Sequence, residues 1–591
     1  MPETPQTNRR SIIGDPSRRN LIVRISLALF VSYFWIGPVL TASAQSDSNL
    51  SRFFATAQVD TYSGYDTKSR GDLFPSCWAD DGFLYTANGD GWGFGDKTDD
   101  ADIVLSRVDG TPETGITGLV VSRREAIANI WGGKNYNRKP TGMVAVDGDG
   151  NGKDELYLAV QDLNSRPCPD CFNDAPNASI SRSDDYGKTW IKSEKAMFAD
   201  HKFTTIFFLD FGKSGENASV LGKDAARYVY AYGIDYNWRS PTDNTKPKPA
   251  DLYLARVPKN KIQDRAAWEF FSGMKNGRPA WSSDIEERAA VLHDARRIYP
   301  ELSCGGRPVK AEATEVGVIS QGGVVYNKPL NRYIYSSWTW YTFEFYEAPA
   351  PWGPWRLFLS KDFGAAPLYG EDASCDGLNE GGYPTTIPSK FISDDGRTMW
   401  VQSNSWERWN YACGTSNYNF SLRKLTVEPF RNSKATNKKD PSFNIAVKGQ
   451  GVTPIEKTAV HGRVEFYNDG LKDKFETSRD CDKQKTVDHW GFIFSRNYNF
   501  NRVVYTPGET TKVGGWFDRS TPLKVQVRQK FQWKDASRMQ ITPAYPFDHN
   551  AQNSSYQISF KDISGDGIRI IGSPGGVQNY TSIAELEVYF K

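Results

Sequence analysis

Short β-rich runs separated by tight turns recur along this chain from about residue 45 to residue 430. Runs such as DELYLAV, RYVYAYG and RYIYSSW alternate apolar with polar residues, or are wholly apolar, over a few positions. Turn sequences such as DDG, KPLNR and SDDGRT separate the runs, and helical patterns are scarce. This repetition predicts an all-β fold, a β-propeller whose blades have about four strands each. The length of the region favours five blades, with six as the alternative.

One turn of this region has a recognisable pattern. The segment SDDYGKTW, Ser183 to Trp190, fits the Asp-box found in sialidase-like and other exported propellers. In that pattern Asp185 and Thr189 tie a hairpin turn while Trp190 packs beneath it. The Asp-box supports the propeller prediction and carries no chemistry.

Residues 1–44 have the features of a secretory signal rather than of a folded domain. Two arginine pairs precede the apolar run LIVRISLALFVSYFWIGPVL, and the small residues ASA end at Ala44. SRRNLIV weakly resembles a twin-arginine signal, and an uncleaved N-terminal anchor is the alternative. We therefore expect a secreted protein, extracellular or periplasmic, with no membrane association once the signal is removed.

Cysteines in an exported chain permit disulfide bonds. Cys168 and Cys171 form the motif CPDC, for which we favour a local loop disulfide. Zinc is less favoured because no second cysteine pair or suitably spaced histidines accompany the motif. Cys304, Cys375 and Cys413 are candidates for pairing among themselves.

Several function classes are disfavoured by the sequence. The formal net charge is +2, which argues against a nucleic-acid partner recruited by bulk electrostatics. None of the five histidines has a serine or cysteine nucleophile partner by motif, so a Ser-His-Asp hydrolase is not expected. No glycine-rich phosphate loop opens a helix, which disfavours nucleotide chemistry.

A second β-rich unit follows the propeller. The polar segment RNSKATNKKDP, residues 431–441, is interpreted as a linker, which leaves residues 442–591 as a separate domain. Its sequences HWGFIFSRNYNFNRVVYTPG and TSIAELEVY resemble a discoidin-type (coagulation-factor C-type) jelly-roll. That resemblance implies carbohydrate binding, and a sandwich with no ligand is the alternative. Trp490, Trp516 and Phe517 could stack on a sugar ring or be buried.

The stretch from Gly71 to Gly95 carries the main candidate site. Asp72 and Asp90 flank a predicted propeller strand, so both could face the central channel. Glycosidic hydrolysis uses two carboxylates, because one protonates the leaving oxygen and the other activates water or attacks carbon. Trp78 and Trp92 would offer apolar faces to sugar CH groups. A turn-forming role for the aspartates is the alternative.

The sequence around these aspartates, and further segments along the chain, resemble a known protein family. GDLFPSCWADDGFLYTANGDGWGFG, LARVPKNKIQDRAAWEFFSG and FYEAPAPWGPW are similar to a large family of exported bacterial and fungal propellers. Some members are endo-D-arabinanases, glycoside hydrolases that cut mycobacterial D-arabinan. The resemblance implies five blades and two catalytic aspartates in the first blade, at the positions of Asp72 and Asp90. This chain has NGDGWG where the arabinanases have FGDT, which leaves the substrate open.

Further side chains are candidates for substrate binding in the same channel. Asp235, Trp238 and Arg239 occur together in YGIDYNWRS, and Glu380 occurs in LNEGGYPTT. A third carboxylate near a catalytic pair often tunes the pKa of the acid. The alternative is that each of these residues belongs to a solvated loop.

One acidic loop predicts a metal site. DGDGNGKDELYL offers oxygen ligands from Asp147, Asp149, Asn151 and Glu155 on a tight turn. It resembles the short calcium loops of integrin-type propellers, and hard oxygen donors suit Ca²⁺. We expect a structural calcium ion here, with a solvated acidic turn as the alternative.

Together these features predict a secreted glycoside hydrolase acting on an arabinan-like polymer or another cell-wall glycan through Asp72 and Asp90. Two alternatives stay open. A polysaccharide lyase would need a Tyr, His or Lys base and a group that neutralises a uronate, such as Arg239 or His201. A non-catalytic glycan-binding protein would leave both aspartates in turns or in solvent.

Overall fold

The computed structural model describes residues 50–60, 63–97, 99–165, 174–239, 247–297, 316–339, 342–363, 382–404, 418–447, 452–456, 466–479, 485–552 and 554–591. The predicted signal at residues 1–44 lies outside these ranges. So do Glu380 and the cysteines proposed to form disulfides: Cys168, Cys171, Cys304, Cys375 and Cys413. Cys77 is the one cysteine within the described ranges, and it is a buried free thiol.

The chain enters the propeller through β1 (Phe54–Val59) and β2 (Tyr65–Asp66), which belong to the last blade. The first blade follows as β3 (Arg70–Asp72), β4 (Ser76–Trp78), β5 (Leu84–Gly93), β6 (Ala101–Thr111) and β7 (Gly115–Arg123). Strands β3 and β4 both pair with β5 and form the inner edge of this blade. The strand predicted between the two aspartates, β5, is therefore the second strand of the blade rather than the innermost one.

The second and third blades continue the antiparallel pattern. The second blade comprises β8 (Tyr136–Val146), β9 (Glu155–Asn164) and β10 (Ala178–Ser183). The third comprises β11 (Thr205–Asp210), β12 (Tyr228–Ile234), β13 (Asp251–Pro258), β14 (Glu269–Lys275), β15 (Arg278–Ser282) and β16 (Ala290–His293).

The fourth and fifth blades complete the ring. The fourth comprises β17 (Gly323–Asn327), β18 (Arg332–Trp338), β19 (Thr342–Ala348) and β20 (Arg356–Asp362). The fifth comprises β21 (Tyr383–Thr386), β22 (Thr398–Asn404) and β23 (Ser421–Pro429), to which β1 and β2 pair. Antiparallel pairing of β1 with β23 joins the start of the propeller to its end, with Val59 opposite Leu425. Within the described residues the fold is thus a five-bladed propeller.

The inner strands pack closely around the axis. Strand β11 pairs in parallel with β17, Leu209 lying opposite Val324. Strand β8 approaches β11 so closely that a Cβ on Gly142 would lie 2.5 Å from the Cα of Phe207. The space between neighbouring blades is filled by aromatic rings, as where Phe207 stacks on Tyr335 with ring centroids 5.9 Å apart. This packing holds the inner strand ends in fixed positions.

The Asp-box prediction is confirmed. The Asp185 carboxylate accepts the backbone N–H of Thr189 at 2.8 Å and its hydroxyl at 2.7 Å. The Trp190 indole donates to the carbonyl of Gly187 at 3.1 Å. These bonds tie the hairpin that follows β10.

The remaining strands form a β-sandwich of the discoidin-like jelly-roll type. They are β24 (Val452–Glu456), β25 (Glu476–Thr477), β26 (Asp488–Thr506), β27 (Phe517–Asp518), β28 (Lys524–Gln529), β29 (Gln532–Asp535), β30 (Gln540–Thr542), β31 (Tyr556–Pro574), β32 (Ser582–Ile583) and β33 (Glu585–Tyr589). Two long strands, β26 and β31, pair along most of their length and organise the main sheet. The Thr453 hydroxyl donates to the Ala55 carbonyl of β1 at 3.1 Å, so the sandwich contacts the strand that closes the propeller.

Helical structure in the described residues consists of short 3₁₀ segments: Arg124–Ala126, Lys213–Leu221, Ala225–Arg227, Lys259–Lys261, Arg265–Ala267, Ile285–Glu287, Ser389–Phe391, Phe466–Asn468 and His549–Ala551. No helix in the described part of the chain is long and apolar enough to cross a membrane.

Candidate active site at the centre of the propeller

A cavity of about 380 Å³ lies where the first, second, third and fifth blades meet. Its lining residues are Asp72, Leu73, Asp90, Lys139, Gln161, Leu163, Trp238, Arg239, Tyr383 and Tyr418. Both predicted catalytic aspartates, together with Trp238 and Arg239, thus face one cavity.

Asp72 ends strand β3 and is buried, with 6 % of its surface exposed. Its Oδ2 accepts the hydroxyl of Tyr418 at 3.0 Å and that of Tyr383 at 3.4 Å. The chain turns sharply at this point, because the N–H of Phe74 donates to the Asp72 carbonyl at 3.0 Å. Leu73 between them has a φ of 74°, the strained conformation of a γ-turn. The Leu73 N–H donates to the side chain of Asn404 in the fifth blade at 3.1 Å.

Asp90 lies within β5, opposite the register shift between β3 and β5. Its φ of 39° falls in the left-handed region, a strained conformation for a non-glycine residue of the kind that clusters at functional sites. The Asp90 side chain is 41 % exposed. Asp90 is therefore the more accessible of the two carboxylates.

Lys139 on β8 links the two aspartates. Its ammonium lies 2.5 Å from Oδ2 of Asp90, and its side chain is only 3 % exposed. A Cβ on Gly89 would lie 2.4 Å from Oδ1 of Asp72 and 3.0 Å from Nζ of Lys139, so only glycine leaves room for both groups. These three distances place Oδ1 of Asp72 at most about 8 Å from Oδ2 of Asp90, an upper bound that admits the roughly 5 to 9.5 Å between the carboxyl groups of glycosidases.

The surroundings of Asp72 favour its protonated form. Burial is the largest cause that raises the pKa of Asp72, to about 6, and the negative charge of Asp90 adds to it. The Lys139 ammonium and the two tyrosine hydroxyls act in the opposite direction. Burial also raises the pKa of Tyr418 well above its usual value, so this residue remains a hydrogen-bond donor.

Aromatic rings form one wall of the cavity. Trp238 packs against Trp338 with centroids 5.4 Å apart and against Tyr383 at 5.7 Å. The guanidinium of Arg239 lies 5.5 Å from the centroid of the Trp238 ring. Trp92 does not line the cavity: the guanidinium of Arg70 lies over its ring at 4.8 Å.

Other predicted residues are not brought to this cavity. The Trp78 indole donates to the Gly82 carbonyl at 3.2 Å, away from the lining. Asp235 has a structural role, since its carboxylate pairs with Arg288 at 2.5 Å and accepts the Phe203 N–H at 2.8 Å. Glu380 lies outside the described residues. A third carboxylate from Asp235 is therefore not part of the arrangement.

Sequence reasoning missed Lys139, Gln161, Tyr383 and Tyr418, which lie far from the aspartates in the chain. Lys139 and Gln161 face each other across β8 and β9. Gln161 follows the apolar run LYLAV in β9, whereas Lys139 lies in the polar segment YNRKPT of β8 and no local pattern singles it out. Only the closed ring brings the residues of the fifth blade to the first.

The predicted calcium loop gathers three of its four residues. Carboxylate oxygens of Asp147, Asp149 and Glu155 lie within 4.8 Å of one another. Asn151 is turned into its own loop, where its side-chain amide oxygen Oδ1 accepts the Lys153 N–H at 2.8 Å. Three hard oxygen donors on one loop fit Ca²⁺.

The aromatics considered for sugar stacking in the C-terminal sandwich are buried. Trp490 and Phe517 have no exposed surface and Trp516 has 8 %. Trp490 donates its indole N–H to the hydroxyl of Thr581 at 2.9 Å. Their role in the structure is core packing.

Parts of this chain are similar to a protein family and to solved structures. Residues 71–357 match the family described as Domain of unknown function (DUF4185). No curated protein matches the chain. A solved structure, the RS223 β-xylosidase, is similar over 62 % of this chain and 94 % of its own, with 11 % identity and a TM-score of 0.33. The family 32 carbohydrate-binding module of Clostridium perfringens NanJ, in complex with galactose, matches 24 % of this chain and 93 % of its own, with 16 % identity and a TM-score of 0.19.

The raised pKa of Asp72 predicts a specific dependence of stability on pH. The folded protein holds this proton more tightly than the unfolded chain, so the contribution of Asp72 to stability is fully present below pH 3.8 and is lost as the pH rises through about 6. This difference in pKa changes the free energy of unfolding by on the order of 3 kcal/mol. Asp72→Asn removes it, so we expect the Tm of the variant, relative to wild type, to rise between pH 4 and pH 7.5.

The matched control is Asp96→Asn, an exposed aspartate of the same region, whose Tm difference from wild type should stay flat across this range. A flat difference for Asp72→Asn as well would contradict the assignment of a raised pKa.

Proposed function

We propose that this protein is an exported glycoside hydrolase that cleaves a polysaccharide with Asp72 and Asp90. The observation that carries the proposal is a pair of unlike carboxylates in one cavity. Asp72 is buried against two tyrosine hydroxyls, whereas Asp90 is accessible to solvent and paired with Lys139. Glycosidases divide the acid and base roles by placing their two carboxylates in different environments.

Asp72 is the general acid in this proposal, because its surroundings raise its pKa to about 6 and so favour the protonated carboxyl. It donates that proton to the glycosidic oxygen, which takes the electron pair of the breaking C–O bond. Asp90 either deprotonates a water that attacks the anomeric carbon or attacks that carbon itself. In the second route, water then hydrolyses the glycosyl-enzyme while Asp72 acts as base.

The proposed substrate is an arabinan-like polymer or another cell-wall glycan. Trp238 and Tyr383 offer apolar ring faces to sugar CH groups, and Arg239 supplies a hydrogen-bond donor at the same wall. The C-terminal sandwich would hold the enzyme near its polymer and so raise the effective substrate concentration. Export through the signal at residues 1–44 would bring the enzyme to such a substrate.

A lyase is supported less well by the same site. A lyase base must lose its proton, whereas burial raises the pKa of Tyr418 well above its usual value. His201 does not line the cavity: its Nε2 lies 2.8 Å from a carboxylate oxygen of Asp174. Hydrolysis is therefore preferred over elimination.

The test is hydrolysis of arabinans, galactans, uronate polymers and bacterial wall glycans by the secreted protein, read as reducing ends and ultraviolet absorbance together. We expect reducing ends without absorbance. Asp72→Asn and Asp90→Asn should each lower kcat by about 100-fold or more, while Asp96→Asn should match wild type. Since Asp72 must be protonated to act as acid, kcat/KM should fall as the pH rises through about 6.

Absorbance from unsaturated products would replace the hydrolase proposal with a lyase. Retention of polymer with no cleavage by the wild type would replace it with a glycan-binding protein.

We also propose that Asp147, Asp149 and Glu155 hold a structural calcium ion. Ca²⁺ added to chelator-treated protein should raise the Tm of the wild type, because an ion that binds the folded state stabilises it. Glu155→Gln should abolish that rise, whereas Asp184→Asn, an acidic neighbour outside the cluster, should retain it. An equal Tm with calcium and with chelator in the wild type would contradict the site.

A further inference from the structure

Lys139 occupies an unusual position in the candidate site. It comes from the second blade, on β8, yet its ammonium contacts an aspartate of the first blade. The side chain is 3 % exposed, so it lies in the wall of the cavity with little contact with solvent. A buried ammonium needs a compensating charge, since its desolvation is otherwise costly.

The two carboxylates are placed unequally around this ammonium. Asp90 forms a direct ion pair at 2.5 Å. Asp72 lies beside the Gly89 backbone and offers its Oδ2 to Tyr418 and Tyr383 instead of to the lysine. The ammonium is thus bonded to one carboxylate and acts on the other through space.

Charged or titratable groups of the described residues surround this pair on several strands and loops. These groups are Asp72 (β3), Asp90 (β5), Asp102 (β6), Tyr383 (β21), and Tyr418 and Arg239 from loops. Asp102 is itself paired with Arg138 at 2.9 Å. Although burial acts in the opposite direction, the charges of Asp72 and Asp90 raise the pKa of Lys139, so the ammonium keeps its proton.

We infer that Lys139 is the positioning residue that divides the acid and base roles, by holding Asp90 as its ion-paired carboxylate while the hydroxyls of Tyr418 and Tyr383 hold Asp72. This inference rests on the proposed function and deepens it. Lys139 touches no substrate atom in this account and acts through the two aspartates.

The arrangement also gives the ammonium a role during the reaction. When Asp72 passes its proton to the leaving oxygen, its own carboxyl becomes negatively charged while Asp90 loses its charge to the water proton or to the ester bond. The Lys139 ammonium stabilises the new charge on Asp72. If Asp90 attacks the sugar, its charge is lost as the ester forms, and Asp72 becomes the main partner of the ammonium. The lysine therefore offsets whichever carboxylate is ionised at each stage.

The test compares Lys139→Met, which removes the charge, with Lys139→Arg, which keeps it. The control is Lys361→Met, a buried lysine of the fourth blade that lies near Phe363 and does not line the cavity. Two readouts are measured on the full secreted chain: the pH dependence of kcat/KM on the cleaved polymer, and the pH dependence of Tm with and without Asp72→Asn. The second readout needs no activity.

For Lys139→Met we expect the alkaline limb of the kcat/KM profile to shift to higher pH by about one unit or more. The reason is that the substitution removes a positive charge that lowers the pKa of Asp72. The pH range over which Asp72 affects Tm should move by the same amount. Lys139→Arg and Lys361→Met should leave both ranges within about half a unit of wild type.

An active Lys139→Met protein with an unmoved limb would overturn the inference. A Lys139→Arg protein whose kcat/KM profile is moved by a full pH unit would also overturn the inference. This variant can still be measured if Lys139→Met does not fold. A wild type that cleaves no polymer overturns the proposed function alone. In that case the Tm readout decides whether Lys139 sets the protonation of Asp72.

Discussion

Antiparallel pairing of β1 with β23 closes the propeller, and the candidate site depends on that closure. Asp72 belongs to the first blade, whereas the tyrosine hydroxyls that bond it, from Tyr383 and Tyr418, come from the fifth. Asn404 of the fifth blade also holds the backbone beside Asp72. The site is thus built across the seam of the ring, and a propeller with an open seam would lose the surroundings that favour a protonated Asp72.

Backbone strain and buried charge occur together at this seam. Leu73, Phe74 and Asp90 all adopt positive φ values, which bulky or β-strand residues rarely do. Such conformations persist where the surrounding structure determines them, and they cluster at functional sites. The strain turns one carboxylate towards two hydroxyls and the other towards an ammonium. The two acids consequently differ in environment, which is the property that a two-carboxylate mechanism uses.

The fold and the aspartate pair were predictable from the sequence, whereas the groups that control the pair were not. Alternating strands and the bonds of the Asp-box are local features, so the propeller could be read from neighbouring residues. Lys139 and Tyr418 reach Asp72 only through ring closure, which no local pattern encodes. Asp235 was expected in the channel from its neighbours Trp238 and Arg239, but its ion pair with Arg288 holds it elsewhere. Trp490 was open to two interpretations because an aromatic residue in a strand can be buried or exposed.

The most direct test of the central claim is a crystal structure of Asp90→Asn with an uncleaved oligosaccharide of the polymer that the wild type hydrolyses. The account predicts that the glycosidic oxygen lies within hydrogen-bond distance of the Asp72 carboxyl, with residue 90 on the far side of the same sugar and a ring face against Trp238. A sugar bound elsewhere, with Asp72 and residue 90 both out of reach of the glycosidic bond, would contradict the account.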